Sequence, residues 1–177
     1  AEKRFGKVEI AIQLGLGLKK SISINRIQIS KMAQLMGQIN CIFFSPDELK
    51  LVKETPADRR RFMNIDLSQI DQSYFYALSR YNKILQQRNA SLKNKCDLRE
   101  LSIWDEQLVK QGTILIQKRQ AFIQKLTPYV IAKHQALTGG QETISLTYET
   151  SANFAQALAN ARERDLRLCT TTVGPHR

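Results

Sequence analysis

Between Ser73 and Lys93 the chain reads SYFYALSRYNKILQQRNASLK, in which Tyr74, Leu78, Tyr81, Leu85 and Leu92 follow one another at spacings of four, three, four and seven residues. Side chains three and four apart share one face of an α-helix, so the stretch reads as an amphipathic helix with one apolar stripe. Upstream, TPADRRRF (Thr55–Phe62) carries the signals of a helix start. Thr55 is placed to cap, Pro56 to occupy the first helical position and Asp58 to meet the positive helix end. Downstream, Trp104, Leu108, Leu115, Phe122 and Leu126 mark a second long helix. Thr127-Pro128 either kinks it or starts a new helix ending near Leu137.

Outside this helical centre the period changes. Val8, Ile10, Ile12 and Leu14 alternate with polar residues, as a strand with one buried face does. Gly15 and Gly17 then turn the chain, Ile22 and Ile24 alternate again, and Asn25-Arg26 reverses into Ile27 and Ile29, which makes a β-meander. A short helix from about Ser30 to Met36 stops at Gly37, and INCIFF (Ile39–Phe44) is expected to be a strand buried on both faces. After the helices, Ile144, Leu146 and Tyr148 alternate as a strand, Ser151 is placed to cap a helix carrying Phe154 and Leu158, and LCTTTV (Leu168–Val173) reads as a closing strand. The expected fold class is therefore α/β, with a β-rich edge interrupted by a mostly helical inserted lobe. The chain starts without Met directly before one strand and stops just after another, so the expected sheet lacks strands on both sides.

The 177 residues contain 27 Lys and Arg against 16 Asp and Glu, a formal charge of +11. Such a field concentrates polyanions, and nucleic acid is the natural partner. No apolar run approaches the roughly 18 residues of a membrane span, so a cytoplasmic protein without membrane contact is expected. Cys41, Cys96 and Cys169 are widely spaced with no CxxC pair, which signals neither a disulfide framework nor a zinc ribbon. With only His134 and His176 available and no GxSxG elbow, triad hydrolysis and a His-built metal site have few possible members.

The chain has no GxxxxGK[ST], the loop that cradles nucleotide phosphates. CIFFSPDE imitates an apolar strand ending in metal-binding acids, but Ser45-Pro46 intervenes, so a strand-to-helix junction is the better reading. TGGQ (Thr138–Gln141) imitates a nucleotide-contacting signature loop. Helical periodicity ends just before it, however, which makes the glycines a helix stop rather than a helix start. The consecutive Arg59, Arg60 and Arg61 cannot share one helix face, because each residue steps about 100° around the axis. At least one should point inward or to a neighbouring element. The triplet is either a solvated basic face, with one arginine paired to Asp58 or Asp66, or a bidentate grip on phosphates. Arg88 and Lys93, beside Lys95 and Arg99, form the next densest basic patch, read either as a cationic helix end that partly neutralises the dipole there or as a contact for a polyanion. His176, in VGPHR, follows an expected strand and is either structural or ligand-facing.

Several stretches in this order, FFSPDELKLVKETPADRRRFMN, YNKILQQRNASLK, IWDEQLVKQG and TTVGPHR, resemble the RecF family of bacterial recombination mediators, within the ABC/SMC-like class of DNA-repair ATPases. The family's Pro, paired Arg and Phe fall on Pro56, Arg59, Arg60 and Phe62. Its Gln-Arg-Asn and Leu-Lys fall on Gln87, Arg88, Asn89, Leu92 and Lys93. The resemblance implies a central fragment of a parent that binds ATP with Mg, forms an ATP-dependent homodimer, grips double-stranded DNA at gaps and works with RecO and RecR to load RecA. It implies residues 1–45 as part of an ABC-ATPase-like lobe, 46–140 as a helical arm and 141–177 as a return toward the ATPase lobe. Arg59, Arg60, Arg61, Arg88 and Lys93 are the DNA-binding candidates. His176 and Arg177 lie near the ATPase lobe without an assigned role. No cofactor, metal or catalytic residue is expected within the chain itself, while the parent would be a slow DNA-stimulated ATPase. The rivals are a lobe of another SMC-like or defence-associated ATPase and a nonenzymatic basic nucleic-acid-binding module.

Overall fold

The computed structural model describes residues 2–3, 6–15, 21–42, 45, 50–53, 55–94 and 97–177. Strands β1 (Glu2–Lys3) and β2 (Gly6–Lys7) pair antiparallel. Strands β3 (Ile10–Gln13), β4 (Ser21–Ile24) and β5 (Ile27–Ile29) form an antiparallel sheet in sequence order, with Ile12 opposite Ile22 and Ile22 opposite Ile29. The expected meander is thus present. Asn25 and Arg26 both take positive φ, 51° and 68°, as a two-residue hairpin requires. Asn25 clamps the hairpin to Glu9, accepting from its N–H at 2.9 Å and donating to its carbonyl at 2.8 Å. Gly17 lies outside the described residues. The sheet faces are only thinly covered: Ile22 is buried, but Ile12 and Ile27 are largely exposed.

Residues 39–42 correct one expectation. They form no strand, and Ile42 is fully exposed. The segment is instead tied to a helix corner, where Gln69 accepts from Gly37 N–H through its carbonyl at 3.1 Å and from Cys41 N–H through its side chain at 2.7 Å. An apolar run becomes a buried strand only where a neighbouring strand exists to pair with it, and none does among the described residues. Phe43, Phe44 and residues 46–49 lie outside the described residues.

Helix α1 (Lys50–Lys53) is a single turn, followed by α2 (Pro56–Ile70), α3 (Gln72–Lys93), α4 (Leu98–Thr138) and α5 (Phe154–Leu168). The predicted start of α2 is observed, with Asp58 Oδ2 accepting from Thr55 N–H at 3.1 Å and from its hydroxyl at 2.6 Å. Asp71 ends α2 and starts α3, accepting from Ser73 N–H at 2.9 Å while its other oxygen meets Lys118 of α4. Partial burial works against its charge. The bonds from Lys118, Ser73 and Tyr74 prevail and lower its pKa to about 2.

Helices α3 and α4 pack as an antiparallel hairpin, with Tyr74, Ala77 and Tyr81 of α3 against Leu108, Leu115 and Ile116 of α4 and Met63 and Leu67 of α2. Phe154 and Leu158 of α5 complete this core. Gly112 lets α5 approach: a Cβ there would sit 2.4 Å from Phe154 Cε1. Helix α4 runs through Pro128 as one element of 41 residues. It ends with Gly139 at φ 62° and Gly140 at φ 77°, and both N–H groups bond to the Gln135 carbonyl. TGGQ therefore sits at a helix C-terminus, as its glycines indicate.

Two further expected strands are absent. Residues 144–148 belong to no sheet, although Leu146 and Tyr148 are half-buried. Alternation marks them as an extended segment, and no described strand pairs with it. LCTTTV is also no strand: Cys169 takes φ 51° to end α5, and Thr171 is fully buried among polar groups. The cap of α5 is Asn153, accepting from Gln156 N–H at 3.1 Å, rather than Ser151. The fold is mixed α and β, mostly helical, with one small three-stranded antiparallel sheet. Among the described residues no helix is long and apolar enough to cross a membrane, and no three His, Cys, Asp or Glu side chains are placed to hold a metal ion.

Candidate functional site

The α2 arginines diverge around the helix as their spacing requires. Arg59 and Arg61 are exposed, whereas Arg60 is half-buried. Arg59 Nη1 donates to the Leu51 carbonyl at 3.3 Å, tying α1 to α2. Arg60 stands between two clefts and lines both. One, of about 780 Å3, also takes in Arg61, Asn64, Tyr81 and His176. The other, of about 580 Å3, takes in Arg59, Arg177, Ser151 and Thr172.

Arg119 of α4 lines both clefts as well, and it is buried. Its Nε donates to the Tyr74 hydroxyl at 2.9 Å and its Nη2 to Asn64 Oδ1 at 2.9 Å. Nη1 reaches the Pro175 carbonyl at 2.7 Å and the Tyr148 hydroxyl at 3.2 Å. One guanidinium thus joins α2, α3, the extended segment and the terminal strap (residues 170–177), and every acceptor among the described residues is neutral.

The strap is held at several points. His176 Nε2 lies 3.3 Å from the Thr171 carbonyl, which can only accept, so Nε2 carries the proton. Nδ1 then accepts from the Tyr81 hydroxyl at 2.6 Å. Burial lowers the His176 pKa to about 4, with the charges of Arg177 and Arg60 adding to the effect, so the ring is neutral near pH 7. Burial raises the Tyr81 pKa as well. Arg177 donates from Nε at 3.2 Å and Nη2 at 2.7 Å to the same Thr171 carbonyl.

Arg88 corrects the sequence reading. Expected among the DNA-facing cations, it is completely buried. Its Nε donates to Asp105 Oδ1 at 2.6 Å, and its Nη1 donates at 2.8 Å to both Asp165 Oδ2 and Thr171 Oγ1. Arg162 closes the cluster on Asp105 Oδ2 at 2.7 Å, and Asp165 Oδ1 accepts from Thr172 N–H at 2.9 Å and from its hydroxyl at 2.6 Å. Two arginines thus meet two carboxylates, and Asn89 fixes Thr171 by accepting from its N–H at 2.8 Å. The Gln-Arg-Asn stretch pins the strap inside the fold. Lys93, at the far end of α3, is exposed.

Sequence reasoning passed over Arg119, Asp105 and Asp165. The signal for the first two lies in the apolar seam of α4: Leu101, Asp105, Leu108, Gly112, Leu115, Arg119, Phe122 and Leu126 follow at alternating steps of four and three. A charge on such a seam must be buried and therefore partnered. Arg88 lies on the α3 seam between Leu85 and Leu92 in the same way.

No family model matches the chain. Among curated proteins it is 42% identical over 183 residues to "DNA replication and repair protein RecF" of Agathobacter rectalis, covering 99% of this chain and 51% of that protein. It is 40% identical over 179 residues to the protein of the same description from Clostridium acetobutylicum, covering 96% of this chain and 49% of the relative. A solved structure described as the recombination mediator protein RecF-ATPrS in the RecFOR pathway superposes with a TM-score of 0.90 at 26% identity, over 100% of this chain and 52% of that one. A second, described as RecF-ATP, gives a TM-score of 0.83 at 25% identity, over 97% of this chain and 50% of that one. The chain spans about half the length of the relatives it matches. With identity near 40% along nearly the whole chain and the fold superposing throughout, this chain corresponds to about half of a RecF protein.

Proposed function

We propose that the chain is part of an ATP-dependent DNA-binding protein of recombinational repair, one that grips double-stranded DNA at gaps and works with RecO and RecR to load RecA. The observation that carries this reading is the match to RecF proteins over nearly the whole chain, joined to a charge of +11 and a basic helix α2. Residues 1–45 would belong to the ATPase lobe, 46–140 to a helical arm and 141–177 to the return. ATP, Mg, the ATP-dependent homodimer and a slow DNA-stimulated hydrolysis belong to the parent, acting in the cytoplasm. TGGQ does not fit a nucleotide-contacting role, since an anion is held at a helix N-terminus and these glycines end one. Arg59, Arg60, Arg61 and Lys93 are the residues offered to backbone phosphates, and Arg88 leaves that set.

Phosphate contacts release counterions, so duplex affinity should fall steeply with salt and depend little on base sequence. The test is duplex binding measured at several salt concentrations on several sequences. A flat salt dependence, or a strong preference for one sequence, contradicts the proposal.

A further inference from the structure

Arg119 is only 2% exposed, and its four acceptors are neutral. A buried cation without an anion carries an uncompensated desolvation cost. Polar acceptors reduce that cost and leave the positive charge in place. That charge borders the cleft of about 580 Å3 whose lining also includes the guanidinium-bearing residues Arg59, Arg60 and Arg177, the hydroxyl-bearing Thr150 and Ser151 and, among the described residues, a single carboxylate residue, Glu149. Four cationic residues on one cleft repel one another unless an anion joins them. Guanidinium and hydroxyl donors suit an oxyanion rather than an apolar ligand, and several cations match the multiple charge of a phosphate better than the single charge of a carboxylate.

We propose that this cleft, between the start of α2, residues 147–151 and the terminal strap, is a phosphate-binding site centred on Arg60, with Arg119 supplying buried charge behind it. It shares Arg59 and Arg60, but not Arg61 or Lys93, with the duplex contacts proposed above and rests in that part on that reading, while pyrophosphate binding is read out separately from duplex binding, so the two can fail separately. The ligand is a phosphate group, and its source is either a nucleic-acid strand or a free nucleotide.

The probe is inorganic pyrophosphate, titrated by calorimetry into the full 177-residue chain, with thermal midpoint as a second readout. The expected result is saturable binding at one site with a raised midpoint, weakened about tenfold or more in Arg60→Met and unchanged in Arg61→Met. Arg119→Lys keeps the charge but cannot span four acceptors, and a folded Arg119→Lys chain should bind several-fold more weakly. Displacement of pyrophosphate by a short duplex assigns the site to strand phosphates, and displacement by ATP but not by duplex assigns it to a nucleotide; each supports the site. Absence of pyrophosphate binding by the unsubstituted chain, or undiminished binding by Arg60→Met, overturns it. Duplex binding that survives such a negative result would leave the DNA reading standing and remove only this cleft.

Discussion

Among the described residues the fold buries two arginines, and their surroundings are opposite. Arg88 meets Asp105 and Asp165, with Arg162 completing a cluster of two cations and two anions. Arg119, about as deeply buried, meets two tyrosine hydroxyls, an amide and a carbonyl. The first arrangement is closed, because its charges cancel within the protein and Thr171 locks the strap over them. The second leaves a positive potential between two clefts. Burial alone therefore does not separate a structural arginine from one that serves a ligand; the identity of its acceptors does.

The largest effect should come from breaking the closed cluster. Arg88→Met leaves two buried carboxylates short of a partner and should destabilise the chain by about 3–5 kcal/mol in chemical denaturation. Arg119→Met should cost less, about 1–3 kcal/mol, because it sacrifices hydrogen bonds but also removes an unpaired buried charge. A larger loss at Arg119 than at Arg88 would reverse the contrast.

Acid should sharpen it further. The folded-state pKa of His176 is about 4, below the ordinary value of about 6.5, so the unfolded chain binds a proton that the folded chain does not. The contribution of this ring to stability is fully present above about pH 6.5 and is lost as pH falls toward 4, with a limiting slope of about 1.4 kcal/mol per pH unit. His176→Gln should flatten that part of the stability profile, and an unchanged profile would show that folding does not shift the pKa of this ring. Acid loss from Asp71 comes lower, between about pH 4 and 2, because its folded pKa is the depressed one. The smallest effect is expected at the helix stop. A Cβ on Gly140 meets nothing within 4 Å, so only the φ of 77° opposes Gly140→Ala, at about 1 kcal/mol by thermal denaturation.

The elements that carry their own local signals were legible in the sequence. Thr55, Pro56 and Asp58 start a helix by themselves, the α3 stripe buries one face of it, and Asn25-Arg26 closes a hairpin. What could not be read locally depended on partners. Ile39–Ile42 and Ile144–Tyr148 have the composition of strands, but a strand also needs a neighbour to pair with. Thr170–Thr172 are β-branched, yet Thr171 and Thr172 use their hydroxyls and N–H groups on Asn89 and Asp165. The site shows the same division. The α2 arginines lie at the surface or half-buried, as a charged run indicates, but Arg88 was counted with them on charge, although its place on the apolar seam pointed inward.

The contrast between fold-holding and phosphate-facing arginines is tested most directly by the salt slope of duplex DNA affinity, measured for the unsubstituted chain and for a folded variant with Arg59, Arg60 and Arg61 all changed to Met. Each lost phosphate contact lowers the magnitude of that slope by about 1, so the variant should fall by about 2–3 while its thermal midpoint stays near that of the parent chain. An unchanged slope would place the DNA-facing surface elsewhere and contradict the account.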